Sequence, residues 1–459
     1  MRSTPCRGVV TLAALLAVGA RPCPTVSAQP EADRYLETAS AGLEWLAANA
    51  VRDEQGLLRF PVVPAEAASS TSDPTLYHGL PGPVLAFLQA WRATGERRWR
   101  ELAEQALETL RVDTRRLVET GEIDAGLYTG LAGIGSTELA AWQALGDDVW
   151  LDEAYDIGLL IVQRAIRSAD GHGVHWNGVV DVISGAAGTG LFLLALYEAT
   201  GEGLFLERAR SAGAWLVAAA SIDPASGFPF WPIQPGADMH YPNFSHGTAG
   251  VAFFLGRLAA LDPLGADFGV WCRRALAWLE GHGEAGGCII YHHDGDGEDL
   301  QYVSWCHGPA GTARVFLQEG GPAARGSVGT PPALLAGVWL LEQGPEPGES
   351  PSGYWNNVSI CCGTAGLLGF MLDLHQSTGD PVWLEGARRY ADVLVERAQR
   401  SATGLSWPQA EHRTRPDLVQ AQTGWMQGAA GISAMLLRIH LATAGRADSV
   451  LRLPDEITP

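Results

Sequence analysis

The stretch VSICCGTAGLLGFMLDLHQSTGD, residues 358–380, decides the reading of the fold. Two adjacent cysteines, Cys361 and Cys362, precede a Gly-Thr-Ala-Gly turn. An apolar run follows, and the stretch closes on Gly379 and Asp380. A short run that is apolar on most sides predicts a buried helix. A glycine at its end suits a left-handed cap, and the acidic residue after it suits the start of another helix. The cysteine pair is a separate signal, because adjacent cysteines close a small, strained ring with each other and are better aimed at something else.

The same unit runs through the chain. The pattern Gly-x-(Pro/Ala)-Gly occurs at Gly79, Gly130, Gly185, Gly247, Gly308, Gly363 and Gly428, at intervals of 51 to 65 residues. In a chain with 56 glycines one match means little, but seven at a near-constant period mean a repeat architecture. Four units carry a second glycine sixteen residues after the first (Gly95, Gly146, Gly201 and Gly379), each followed by Glu or Asp. The next segment is amphipathic. In RELAEQALETL, residues 100–110, Leu102, Ala106, Leu107 and Leu110 share one face with charges opposite. Each unit therefore pairs a buried helix with a half-exposed one. The first helical segment, DRYLETASAGLEWLAANAV (33–51), resembles an outer helix with no inner partner before it. Outer-then-inner pairs repeated seven times predict an all-α fold, an α/α toroid that closes on itself. The glycine pairs are expected to let neighbouring backbones approach closely.

The chain has 459 residues, 47% of them hydrophobic, enough to bury a large core. All 31 basic residues are Arg, set against 51 acidic ones, for a net charge of -20. The absence of Lys excludes a Walker-type P-loop and Schiff-base chemistry on a lysine. The acidity argues against nucleic acid and anionic membranes as partners. At the N-terminus, Arg2 and Arg7 precede an apolar run from Val9 to Ala20, and Val26-Ser27-Ala28 forms a small-x-small site. This pattern predicts a signal peptide over residues 1–28, a mature domain over 29–459 and export from the cytoplasm. Cleavage leaves five cysteines: Cys272, Cys288, Cys306, Cys361 and Cys362. Cys272 and Cys288 are read either as a disulfide or as buried free thiols.

Long loops precede the turns and share aromatic cues at Trp176, Trp231, Trp355 and Trp407. They are expected to gather on one face and hold an extended ligand. The residue before each first glycine runs His78, Thr129, Ser184, His246, His307, Cys362 and Gln427, a ring at one end of the barrel. Cys306 and Cys361 sit one place further back in successive repeats. Three thiols at neighbouring helix starts, where thiolates are favoured, suit a Zn²⁺ site with its fourth position open. The rival readings are three small buried hydrophobes and a vicinal disulfide at Cys361–Cys362. His78 is read as a helix-start hydrogen-bonding residue.

The glycine turns, WCHG at 305–308 and CCG at 361–363 resemble those of the LanC-like proteins, lanthionine cyclases and their relatives. The resemblance covers most of the mature chain and implies an α/α toroid holding one zinc. The family's usual Cys-His-Gly motif is Cys361-Cys362-Gly363 here, so a cysteine takes the place of a histidine ligand, as in some lanthionine synthetases. The resemblance makes Cys306, Cys361 and Cys362 the metal ligands. It gives His246 and Asp181 counterparts among the catalytic residues. The tyrosine common after the first zinc cysteine is His307 here, and an arginine found four residues before that cysteine is Tyr302.

The implied reaction is addition of a cysteine thiol to a dehydroamino acid in a peptide. Either His246, with Asp181 orienting it, or His307 would serve as the general acid. The partner is then a peptide with a cysteine and a dehydroamino acid, or a small thiol. With no kinase-like motif in this chain, a separate dehydratase would supply the alkene. Two other readings stay open. One is a secreted glycan-processing toroid using its tryptophans as sugar platforms; the other is a zinc-stabilised peptide-binding module without catalysis.

Overall fold

The computed structural model describes residues 28–66, 73–262, 267–283, 302–319, 332–343 and 356–457. Cys288, Trp355 and residues 1–27 lie outside them, so the disulfide option for Cys272 and the signal-peptide reading fall on undescribed sequence.

Six of the inner helices are single segments: α2 (Pro81–Thr94), α4 (Leu131–Leu145), α6 (Ala186–Thr200), α8 (Thr248–Leu261), α13 (Thr364–Thr378) and α15 (Ala429–Thr443). The remaining inner helix is broken at Ala313 into α10 (Pro309–Thr312) and α11 (Arg314–Glu319). The outer layer is α1 (Ala28–Ala48), α3 (Arg97–Thr120), α5 (Val149–Arg164), α7 (Gly203–Ala218), α9 (Phe268–His282), α12 (Pro332–Gln343) and α14 (Pro381–Arg397). Each outer helix packs on the inner helix of its unit. The ring closes where α15 meets α2 on the inside and α1 covers α15 from the outside. The unpartnered N-terminal helix thus finds its inner partner at the far end of the chain. No helix among the described residues is long and apolar enough to cross a membrane.

The seven turns are stitched into a closed belt of backbone hydrogen bonds. Tyr77 N–H donates to the Tyr128 carbonyl and Tyr128 to Ile183; Val182 then donates to Ser245, Ser245 to Cys306, Cys306 to Cys361, Cys361 to Met426, and Met426 back to Tyr77. The links are 2.8–3.3 Å long. Each unit satisfies polar groups of the next, so the belt both fixes the ring and sets which side chains become neighbours.

The two glycines of each turn answer a different need from the one expected. A Cβ on Gly366 would lie 2.3 Å from the Ile360 carbonyl oxygen, and one on Gly431 would lie 1.9 Å from that of Trp425. The close approach is to the unit's own incoming loop, six residues earlier, tucked across the helix start. Only Gly82 approaches a neighbouring turn first, at Trp425 N. Gly379 closes α13 in the left-handed region (φ 71°), its N–H on the His375 carbonyl at 2.8 Å.

Short antiparallel hairpins follow four outer helices, for example Ile166–Arg167 on Val174–His175 and Gln399–Ser401 on Gly404–Ser406. The aromatic residue after each hairpin turns inward. The indole N–H groups of Trp176, Trp231 and Trp407 donate to the carbonyls of Ile161, Leu216 and Leu394 near outer-helix ends, at 2.7–2.8 Å. Trp231 and Trp407 are buried, and Trp176 is half-buried. These tryptophans therefore satisfy orphan helix-end carbonyls and fill the core, which corrects their reading as a ligand platform.

The last described residues, 451–457, lie against the barrel and carry a charge lattice with them. Arg438 pairs with Glu456 through two hydrogen bonds of 2.7 and 3.0 Å. Buried Arg314 reaches Asp373 at 2.9 Å. The Tyr128 hydroxyl donates to Asp455 at 2.9 Å, and the Tyr128 ring meets Trp305 edge-on. Burial pushes the Asp455 carboxyl up to about 6, against the pull of Arg314.

Candidate metal centre

Because Cys306 and Cys361 are consecutive links of the belt, the repeat geometry brings them together. Cys362 follows at the start of the same turn. The thiol sulfurs of Cys306, Cys361 and Cys362 all lie within 4.8 Å of one another, with Cys306 and Cys362 3.6 Å apart. Tetrahedral zinc with bonds of about 2.3 Å places thiolates about 3.8 Å apart, so the three sulfurs fit the ion, and their softness suits it. Cys306 and Cys361 are buried, while Cys362 is half-buried toward the mouth. Hydrogen bonds from the two neighbouring thiols hold the Cys306 thiol well below the usual thiol range. Bonds with both neighbours hold Cys361 well above it, and the bond with Cys306 does the same for Cys362.

Asp181 is buried ahead of α6, where one carboxylate oxygen accepts the N–H groups of Ser184 and Gly185 at 2.8 and 2.9 Å. That anchoring leaves the other oxygen for Nδ1 of His246, at 2.6 Å. A carboxylate on Nδ1 assigns that nitrogen the proton and turns Nε2 away from Asp181. The His246 ring is one-third exposed. Enclosure by the turns pulls its pKa down, but the bond to Asp181 and its charge outweigh this, and the pKa lies above the ordinary imidazole value. His307, next to Cys306, stacks on His246 with ring centres 5.8 Å apart and meets the rings of Tyr241 and Tyr302. All six residues singled out in the sequence thus gather at one mouth. The ring of His78 reaches Glu411 at 3.1 Å rather than a helix start.

Three contributors went unread in the sequence. The Tyr77 hydroxyl donates to the Cys361 sulfur at 3.1 Å. Burial first, and then the two cysteines beside it, raise the Tyr77 pKa well above the usual phenol value, so it remains a donor. Gln427 directs its amide N–H₂ at the Cys362 sulfur (3.6 Å) and the Tyr77 oxygen (3.1 Å). Arg413, from the loop before the last turn, donates to the Tyr302 hydroxyl at 2.5 Å. Position Gln427 was visible in the ring of pre-glycine residues, but nothing local marks Tyr77, which meets the site only through closure, or Arg413, which reaches Tyr302 from 111 residues further on.

The sequence profile of lanthionine synthetase C-like proteins matches residues 70–451. Among solved structures, nisin cyclase aligns at 15% identity with a TM-score of 0.57, covering 84% of this chain and 93% of its own. The unsaturated glucuronyl hydrolase of Bacillus sp. GL1 aligns at 13% identity with a TM-score of 0.47, over 92% and 98% of the two chains. The Lin0763 protein of Listeria innocua aligns at 14% and 0.46, over 90% and 97%. No curated protein sequence matches the chain. At this level of identity, the likeness to nisin cyclase is one of fold.

Proposed function

The chain belongs to the lanthionine synthetase C-like family, and we propose that it adds a thiol, most simply a cysteine of a peptide, to a dehydroamino acid, forming a thioether. One observation carries this reading: three cysteine sulfurs within 4.8 Å of one another share a mouth with a histidine held by a buried aspartate. Zinc bound by Cys306, Cys361 and Cys362 would supply an open position at which a thiol is held as thiolate.

The protein's own groups then have distinct duties. The sulfur forms its bond to the β-carbon and the alkene electrons move toward the carbonyl, leaving an enolate that needs a proton at the α-carbon. His246 gives that proton from Nε2, and the proton released by the thiol restores the balance. Asp181 keeps Nδ1 protonated and the ring aimed, and it favours the imidazolium before transfer. His307 flanks the path between Cys306 and His246. With Trp176, Trp231 and Trp407 spent on helix ends, these three tryptophans have a structural explanation that needs no sugar ligand.

The N-terminal pattern supports export of the mature chain. That separates it from a cytoplasmic dehydratase and widens the acceptor to any dehydroamino acid presented outside, with a peptide or small thiol as donor. The test is addition of a cysteine-containing peptide to a dehydroalanine acceptor, followed by thiol loss and by mass. His246→Ala should keep the fold and metal yet lose about a hundredfold or more in turnover, and His307→Ala should lose less. Equal turnover of His246→Ala and wild type would overturn the acid assignment. No addition by a zinc-loaded wild-type protein would overturn the cyclase reading in favour of a binding module.

A further inference from the structure

We propose that Tyr77 and Gln427 are positioning residues of the metal site, donating hydrogen bonds to the sulfurs of Cys361 and Cys362 and setting how electron-rich those ligands are. The inference rests on the metal reading given above.

The geometry is directional. Gln427 is buried, and its amide oxygen accepts from the Asn357 side chain at 3.2 Å, which leaves its N–H₂ facing Cys362 and Tyr77. Asn357 is fixed in turn: it donates to the Ala410 carbonyl at 2.9 Å and accepts from the Ser359 hydroxyl and N–H at 2.7 and 2.9 Å. Ser359 completes the circuit by accepting the Cys362 N–H at 3.3 Å. The backbone of Gln427 is held by the Gln409 amide at 2.5 Å. Tyr77 receives one bond from Gln427 and passes one to Cys361. Two turns on one side of the cysteine pair, those of the last and first units, thus converge on its sulfurs.

Three thiolates on one divalent ion carry a net negative charge. Each N–H or O–H donated to a ligand sulfur withdraws electron density from it and restores acidity to the metal. A Cys₃ site otherwise holds a thiol weakly activated for deprotonation, and two donors on two of the three sulfurs offset that. Cys306 has a hydroxyl neighbour of its own, Ser304 at 3.3 Å, whose donor direction is open to either group. The asymmetry places the built donors on the Cys361–Cys362 side, away from His246.

Co²⁺ substitution of the full-length mature protein reads this directly, because the sulfur-to-cobalt charge-transfer bands report ligand electron density and a purely structural role would not move them. Tyr77→Phe keeps the ring and removes the donor. The bands should shift to longer wavelength, and cobalt and zinc affinities in chelator competition should fall by about tenfold, the low end for an outer-shell partner. Gln427→Glu replaces the donor with an anion beside Cys362 and should lower affinity by about a hundredfold at neutral pH, the high end of that range. The two variants are independent, so either one that folds decides the matter. Wild-type bands and affinity in a folded variant would overturn the proposal while leaving the metal site intact. A wild-type protein that takes up no cobalt would overturn the metal reading together with it.

Discussion

Replacing Gly366 by Ala should damage both fold and site, and two neighbouring glycines supply the controls. A Cβ at Gly366 would stand 2.3 Å from the Ile360 carbonyl oxygen, against about 3.3 Å for a relaxed carbon–oxygen contact, so the loop must retreat by about 1 Å. That strand of loop is buried and tied into the belt, and overpacking of this kind costs about 2–3 kcal/mol. Gly379→Ala meets no atom but must hold a left-handed backbone at φ 71°, at a cost of about 1–2 kcal/mol. Gly369, inside α13, has only the Met435 sulfur nearby at 3.6 Å. Gly369→Ala should therefore stabilise by about 0.5–1 kcal/mol. With an unfolding entropy of about 2.1 cal/mol/K per residue, a chain of this size shifts its Tm by about 1 °C per kcal/mol. Differential melting should rank the variants Gly369→Ala, wild type, Gly379→Ala, Gly366→Ala. Because Ile360 directly precedes Cys361, only Gly366→Ala should also weaken metal binding. Equal melting and metal affinity of Gly366→Ala and Gly369→Ala would refute the account of why the turn requires its glycines.

Trp407→Phe should destabilise by about 1–3 kcal/mol through the orphaned Leu394 carbonyl, while thiol addition stays unchanged. Loss of addition with normal stability would restore the tryptophan to a ligand role. Asp455 has its pKa raised from the ordinary 3.8 to about 6 in the fold. Its contribution is therefore fully present below pH 4 and is lost as pH rises through 6. Asp455→Asn, fixed in the neutral form, should gain stability relative to wild type across that window by chemical denaturation; a pH-independent difference would contradict the assignment. Protein recovered outside the cytoplasm should begin at Gln29 by N-terminal sequencing, and an intact Met1 would contradict export.

The ring was legible because its signals are local and repeated. The turn glycines, the closing glycines such as Gly379 and the alternation of buried and amphipathic helices each follow from backbone conformation or helix period. The unpartnered first helix even showed that the ring must close. The cysteine cluster was legible for the same reason, since equivalent positions in adjacent repeats become neighbours. What escaped depended on closure or on side-chain direction. Tyr77 lies 284 residues from Cys361, and no spacing rule links them. The tryptophans have a loop context that suits a ligand and a carbonyl equally, until the hairpins turn them inward. Arg314 interrupts an otherwise apolar inner helix, and its partner Asp373 sits 59 residues on.

The central claim is a metal on three cysteines, and metal analysis of the purified mature protein tests it most directly. The account predicts about one tightly held Zn²⁺ per chain, lost in Cys306→Ala, Cys361→Ala and Cys362→Ala and retained in Cys362→His. A metal-free protein whose mass shows Cys361 and Cys362 joined as a disulfide would contradict it.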